Sequence, residues 1–253
     1  MGRWGVRWLL VLVVFLASLG AVSCGSSPHQ NSSNAQIRVM TASPDLGNVD
    51  VQVNGQTIAT NLGWRSVFPM PTTSYANAQA GSLHVQEFPT GVGSPALVDA
   101  RFSTSPNNFY TILTAGEQSS GALATIMFSD DHIAPTPGQL RLRFVNAAST
   151  VGTIDVYFTA GPNDPVPVVP SLPAFSYKSV SSYILFSGSS TELCANPASV
   201  IPSAMGRCLL SVQLQFLAQP KNSLTFFLLD PYIPPNPPVG SFTTPVVLGT
   251  LPY

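Results

Sequence analysis

The chain has 253 residues, of which 45% are hydrophobic and only 8% are charged, with a formal net charge of −1. A typical soluble domain carries about 25% charged residues, and exposed helix faces hold many of them. The scarcity of Lys and Glu, together with 24 Pro and 19 Gly, therefore disfavours a helical protein and indicates strands and turns. Nucleic-acid binding is excluded because the chain has no basic cluster that could contact phosphates.

Residues 1–23 have the layout of a bacterial lipoprotein export signal. Arg3 and Arg7 give a basic start, an apolar run follows, and the sequence Ala-Val-Ser-Cys ends at Cys24. This ending resembles the lipobox, in which the peptidase cuts before a lipidated cysteine. The apolar run is shorter than the ~20 residues that a membrane-spanning helix needs. We therefore predict that a lipid on Cys24 attaches the mature chain to a membrane outside the cytoplasm.

The segment 24–36 follows Cys24 with small polar residues and no periodicity, which predicts a flexible tether. Gly25 stands where an Asp would resemble an inner-membrane retention signal. The outer membrane is therefore favoured over the inner membrane as the site of attachment.

The chain repeats itself with an offset of 105 residues. Segment 37–53 aligns without gaps on 142–158, and five positions are identical. A repeat of this length is typical of two copies of a small domain. Apolar residues alternate with polar ones within each copy, and about seven short strands per copy can be drawn. The sequence thus predicts an all-β protein with two tandem immunoglobulin-like β-sandwiches at 37–130 and 140–253, joined by a linker at 131–139.

Two hairpins are predicted near the start of the repeat. In copy one, Asn54-Gly55 is a strong two-residue turn signal after Val53. Arg38 and Asp50 recur as Arg143 and Asp155, and pairing the first two strands of each copy would place each Arg opposite its Asp on a solvated face. Such cross-strand charge pairs stabilise by ~0.2–1 kcal/mol and fix the register.

Cys194 and Cys208 remain once Cys24 is assigned to the lipid. In an exported chain a disulfide between them is favoured, with about 3 kcal/mol of stabilisation expected for a loop of this size. A metal site is the alternative, although no His lies within or beside this stretch.

The residues that carry a family resemblance lie at the start of copy one and around the junction. They are Arg38, 42–45, 49–51, Asn54-Gly55, 129–131 and 141–147. These segments resemble the domain of unknown function 4397 family, whose bacterial extracytoplasmic domains commonly occur as tandem pairs on lipoproteins. The resemblance implies a β-sandwich and an envelope location, and it implies no established activity.

No motif with a defined catalytic mechanism is present, so we assign no catalytic residue, no metal ligand and no cofactor. The densest polar cluster is Asp130, Asp131 and His132. It is interpreted as the solvated start of the linker, and the alternative is a cation site completed by Asp99 or Glu87.

Two classes of function remain. The first is a non-catalytic binding, adhesion or structural module of the envelope with a glycan or protein ligand. The second is a hydrolase that uses two of Asp99, Glu87 and Asp130, which requires carboxylates about 5–10 Å apart across a cleft. Seven aromatic residues either stack on sugars or fill the core: Trp64, Phe68, Tyr75, Phe88, Tyr157, Tyr177 and Tyr183. The first class is favoured.

Overall fold

The computed structural model describes residues 33–71, 74–135, 139–159, 165–187, 192–200, 208, 210–213, 223–231 and 246–249. The predicted signal peptide, Cys24 and most of the predicted tether lie outside these residues. All the secondary-structure elements in the described part are β-strands, which confirms the all-β prediction. The first strand begins at Asn34, inside the segment predicted to be tether.

Nine strands precede the predicted linker. They are β1 (Asn34–Thr41), β2 (Val49–Val53), β3 (Gln56–Leu62), β4 (Ser66–Phe68), β5 (Ala76–Gln79), β6 (Gly81–Pro89), β7 (Val98–Thr104), β8 (Phe109–Ala115) and β9 (Ala124–Asp130).

Eight more described strands follow the predicted linker. They are β10 (Gln139–Ala147), β11 (Ile154–Thr159), β12 (Leu172–Phe175), β13 (Ile184–Ser187), β14 (Glu192–Pro197), β15 (Leu210–Gln213), β16 (Ser223–Leu229) and β17 (Val246–Gly249).

These strands form four sheets, which we number as layers I to IV. Layer I has the order β3-β2-β6-β7, and layer II has the order β4-β1-β8-β9 with β5 also paired to β1. Layer III has the order β13-β10-β16-β17, and layer IV has the order β12-β11-β14-β15. No described strand pairing joins the sheets of the first half to those of the second.

Three hydrophobic clusters fill the spaces between the layers. The first, around Val51, Val85 and Ile112, lies between layers I and II. The second, around Phe144, Val156 and Phe226, lies between layers III and IV. These two clusters are the interiors of a first and a second β-sandwich. The chain therefore has two interiors, as expected for sheets whose apolar residues alternate along each strand.

The third cluster joins the two sandwiches through layers II and III. Met40 and Leu113 contribute from layer II, and Val145 and Phe227 contribute from layer III. Along β16, Leu224, Phe226 and Leu228 face the second interior, while alternate residues face this junction. The middle strands of layers II and III are thus buried on both faces, which explains why SLTFFLL of β16 is apolar without alternation.

The first two strands of each half are not hairpin neighbours, so that part of the prediction is wrong. β1 runs parallel to β8 in layer II, whereas β2 lies in layer I beside β3 and β6. The turn at 42–48 carries the chain from one sheet to the other. The Asn54-Gly55 hairpin is confirmed: both residues have positive φ (51° and 79°), and Val53 pairs with Gln56 across the turn.

Candidate functional site

The densest set of buried charges lies at the junction of the two sandwiches. Asp130, the last residue of β9, accepts hydrogen bonds from Thr111 Oγ1 at 2.6 Å and from Tyr75 Oη at 2.9 Å. It also forms ion pairs with Arg38, whose Nη2 is 3.4 Å away, and with Arg143 of the second sandwich. Both arginines are buried, with exposed fractions of 0% and 3%. One carboxylate therefore holds guanidinium groups from both halves.

Each arginine also contacts the threonine beside it on the neighbouring parallel strand. Arg38 Nε donates to Thr111 Oγ1 at 2.7 Å, and Arg143 Nε donates to Thr225 Oγ1 at 3.2 Å. The two pairs occupy the same register position of their sheets. Because layers II and III face each other through corresponding positions, the junction resembles a symmetric dimer interface built within one chain.

The predicted pairs Arg38–Asp50 and Arg143–Asp155 do not form, because each arginine and its aspartate lie in different layers. The aspartates still share a role with each other. Asp50 accepts backbone N–H groups of Asn61 (2.9 Å) and Gly91 (3.0 Å).

Asp155 accepts the corresponding backbone N–H groups of Ala174 (2.7 Å) and Ser199 (3.0 Å). The hydrogen bond from Gly91, followed by that from Asn61, lowers the pKa of Asp50 below its usual value. The repeated Asp therefore fixes loops at the edge of a sheet, and the repeated Arg builds the junction.

The interpretation of Asp130, Asp131 and His132 as a solvated linker start is wrong for Asp130, which is buried at the junction. Asp131 pairs with Arg141 through two hydrogen bonds of 2.5 and 2.8 Å, and this contact lowers its pKa. The His132 ring lies 3.9 Å from the Phe109 ring. Within the described residues, no group of three or more His, Cys, Asp or Glu could hold a metal ion.

A second polar contact of the junction involves a tyrosine from the second sandwich. Tyr177 Oη lies 3.0 Å from the carbonyl oxygen of Ala115 and 2.8 Å from that of Ala122, so its hydrogen is shared between them. Burial, followed by the charge of Asp230, raises the pKa of Tyr177 to about 12, so the hydroxyl keeps its proton. Gly116 lies beneath it with a φ of +84°, and a Cβ there would approach Tyr177 Oη to 2.2 Å.

Carboxylates also hold the loops near this contact. Asp45 accepts hydrogen bonds from the backbone N–H groups of Gln118 and Ser119, each at 2.8 Å, and so ties its turn to another loop. In the second half the carboxylate belongs to Asp230, which directly follows β16. It accepts hydrogen bonds from the N–H groups of Ser149 (2.8 Å) and Thr150 (2.9 Å) in the turn after β10.

The three carboxylates of the hydrolase alternative lie in three different environments. Glu87 points into the first interior, where Thr114 Oγ1 donates to it at 2.6 Å. Asp99 lies on the opposite, outer face of layer I and is exposed. Asp130 is enclosed by the junction. Because Glu87 and Asp99 are separated by a sheet, they do not flank a common cleft.

The outer face of layer I carries an open array of polar side chains. His84 Nε2 is 2.7 Å from Asp99 Oδ1, and Gln86 Nε2 donates to Asp99 Oδ2 at 2.9 Å. Arg101 lies beside His84 in the register of β6 and β7. The hydrogen bond from His84 is the main cause that lowers the pKa of Asp99.

The outer face of layer IV differs because it is buried. Tyr157, Glu192, Cys194 and Asn196 lie on this face with little or no exposure. Cys194 forms the predicted disulfide with Cys208, with Cα atoms 5.5 Å apart. The disulfide holds Cys208 against this face. Among the described residues, layer I is the more open of the two outer sheets.

The seven aromatic residues proposed for sugar stacking are all buried or half-buried. Phe88 and Tyr157 are buried, and Tyr75 and Tyr177 belong to the junction. Core and junction packing therefore accounts for these aromatic residues better than an exposed stacking surface does.

Comparison with known families confirms the resemblance seen in the sequence. Residues 35–157 match the family described as Domain of unknown function (DUF4397). The match begins one residue into β1 and ends at Tyr157, within β11 of the second sandwich. A search of curated proteins gives no match. Among the described residues, which begin at 33, no helix has the length and hydropathy needed to cross a membrane.

Proposed function

We propose that this protein is a non-catalytic module of the bacterial cell envelope, attached by a lipid on Cys24 and favouring the outer membrane. In this proposal its two sandwiches act as one unit that presents the outer face of layer I to a glycan. The export signal in the sequence supports the anchor. The shared hydrophobic cluster and the bonds of Asp130 to both halves support a single unit.

The placement of the carboxylates supports a non-catalytic role. A hydrolytic site needs an acid and a partner converging on one cleft. Here Glu87 is enclosed in an interior, Asp99 is exposed, and Asp130 is held by two arginines. Each carboxylate thus has a structural contact and none faces another of the three.

The polar side chains on the outer face of layer I are the reason for proposing a glycan as the ligand. His84, Gln86, Asp99 and Arg101 offer both donors and acceptors on planar groups, which suits the neighbouring hydroxyls of a sugar. A protein interface usually needs large apolar anchors at its centre. The large apolar residues that are exposed in the described part all lie outside the strands of layer I: Met70, Val92, Ile133, Val168, Val169 and Leu185. The face is therefore better matched to a glycan than to a protein.

The full chain in detergent micelles should bind an envelope polysaccharide or peptidoglycan fragment in a direct binding assay. Asp99→Ala and Arg101→Ala should each weaken binding at least about tenfold, as expected when a charge-assisted hydrogen bond is lost. Arg65→Ala is the matched control because Arg65 is exposed but lies outside the strands of layer I. It should bind like the parent protein.

Three results would count against the proposal. The first is that the protein turns over glycosides, esters or peptides and that Asp99→Asn abolishes this activity. The second is that Arg65→Ala weakens glycan binding as much as Arg101→Ala does. The third is that the protein binds no glycan. The anchor is tested separately. Cys24→Ala should abolish incorporation of a fatty-acid analogue, and unlabelled parent protein would refute lipidation.

A further inference from the structure

Glu87 is the buried carboxylate with the fewest bonds in the first interior. Its side chain lies between layers I and II, and the residue has an exposed fraction of 2%. Oε1 accepts a hydrogen bond from Thr114 Oγ1 at 2.6 Å, whereas Oε2 has no hydrogen-bond partner. Buried polar atoms are rarely left in this state, because each costs the free energy of its lost hydration.

A second buried polar atom without a partner lies in the same layer of the core. Thr41 follows Ile37 and Val39 on the face of β1 that points into the first interior, and its Oγ1 also has no partner. Thr41 is beside Thr114 in the parallel register of β1 and β8. Thr114 therefore donates to Glu87 and is the cross-strand neighbour of Thr41.

The surroundings of Glu87 contain no other charge directed at it from the strands beside it. Val51 and Val98 are its register partners on β2 and β7. The charged residues of the strands around it lie on the opposite faces of their sheets: Arg38, Asp50, Asp99 and Arg101. Burial in these surroundings raises the pKa of Glu87 to about 7, and the bond from Thr114 opposes this only in part.

We propose that the end of the first interior is a binding site for one water molecule, held between Glu87 Oε2 and Thr41 Oγ1. The water donates one hydrogen to the carboxylate and accepts the hydrogen of the Thr41 hydroxyl, so one molecule satisfies both atoms. When Glu87 takes up a proton, its own hydroxyl group donates to the water instead. The site thus makes the first sandwich sensitive to pH.

The second sandwich supplies the comparison within the same chain. There the position corresponding to Glu87 is Ala195, and the one corresponding to Thr114 is Leu228. Both residues line a cavity of about 20 Å³ whose other lining residues are also apolar. A cavity of this size without polar partners stays empty of water. Water is therefore expected beside Glu87 in the first sandwich and not beside Ala195 in the second.

The pH dependence has a defined sign. Since the folded-state pKa of Glu87 is raised from 4.5 to about 7, its stabilising contribution is complete below 4.5 and is lost as the pH rises to about 7. Hydrogen exchange of the full chain, measured strand by strand from pH 4 to 9, should show protection falling in β2 and β6 across this range. Strands β11 and β14 should change less.

Glu87→Gln should remove this pH dependence while leaving protection at low pH nearly unchanged, because the amide keeps the Thr114 contact. Thr41→Val should move the midpoint to higher pH, because the ionised carboxylate loses its hydrated partner. Glu192→Gln is the matched control, since both oxygens of that buried carboxylate accept hydrogen bonds from hydroxyl groups in the other sandwich, and it should leave the midpoint measured in β2 and β6 at the parent's value.

The water is tested directly by magnetisation transfer from water to the methyl groups of Val51 and Val98. Transfer that Thr41→Val abolishes supports the site. A direct bond between Thr41 and Glu87 with no water transfer, or a pH profile that survives Glu87→Gln, would overturn the proposal. Neither result depends on whether the protein binds a glycan.

Discussion

Beside Val51 in the first sandwich lies Glu87, and at the corresponding position beside Val156 in the second lies Ala195. The same strands in the same order thus hold a carboxylate at this position in one half and a methyl group in the other. The strand topology does not determine which side chain occupies this position. What both halves need is a buried, close-packed interior, and the side chains at individual positions of that interior are free to differ.

The outer faces differ in a related way. Layer I exposes Asp99 and Arg101, while layer IV buries Tyr157 and Cys194. Two sets of contacts are repeated in both halves. The pairs Arg38–Thr111 and Arg143–Thr225 lie at the junction, and Asp50 and Asp155 hold loops at the edges of their sheets. The comparison teaches that the repeat preserves the junction and these loop contacts, while the interior and the rest of the outer face differ between the halves.

The strongest way to break this comparison is to remove the carboxylate that both halves share. Asp130→Asn keeps the shape of the side chain but leaves the guanidinium groups of Arg38 and Arg143 buried without this charge. We expect a loss of about 3–5 kcal/mol in the free energy of unfolding, measured by urea denaturation of the full chain. Both sandwiches should lose stability, because the junction belongs to both.

Asp131→Asn is the control for this substitution. Asp131 pairs with Arg141, but its side chain is 40% exposed. An exposed ion pair contributes no more than about 1 kcal/mol. Equal losses from the two substitutions would show that the junction pair contributes no more than a surface pair.

A second experiment sharpens the difference between the outer faces. Replacing Cys194 and Cys208 together with Ala should destabilise the second sandwich by about 3 kcal/mol, the value expected for a loop of this size. Hydrogen exchange should become faster in β14 and β15 and stay nearly unchanged in β6 and β7. Reduction of the parent protein should reproduce the pattern, whereas equal acceleration in layers I and IV would contradict it.

Much of the fold could be predicted from the sequence because alternation and turn chemistry act locally. The strands around Val51 and the turn at Asn54-Gly55 were correctly expected on these grounds. Their partners could not be obtained in the same way, since a parallel pair such as β1 and β8 joins residues more than 70 positions apart. The sequence did contain one unused signal: β16 is apolar on both faces, which indicates a strand covered on both sides.

The residues of the junction were recognised in the sequence but were given the wrong partners. Arg38 and Arg143 were expected on solvated faces, because a charged residue alternating with apolar ones usually faces water. They are buried because layer III covers layer II, a fact that no pattern within one strand encodes. The burial of Glu87 is likewise not encoded within β6, since it depends on layer II packing against layer I at Thr114.

The smallest expected effect tests the contact between Tyr177 and the loop of the first sandwich. In Gly116→Ala the new Cβ would lie 2.2 Å from Tyr177 Oη and 2.4 Å from the carbonyl oxygen of Ala122, at a φ of +84°. We expect a loss of about 1–3 kcal/mol from strain and displaced contacts. Gly121→Ala is the matched control, because Gly121 has a similar φ of +73° but no atom within 4 Å of such a Cβ.

The difference in the free energy of unfolding between Gly116→Ala and Gly121→Ala measures the clash with Tyr177 and Ala122 separately from the backbone strain. Tyr177→Phe removes the hydroxyl and should cost about 1 kcal/mol on its own. Combined with Gly116→Ala, it should recover part of the loss, because the oxygen that clashes with the new Cβ is gone. If the double variant instead shows the full sum of the two losses, the Tyr177 hydroxyl does not press on Gly116, and this contact does not help to join the two halves.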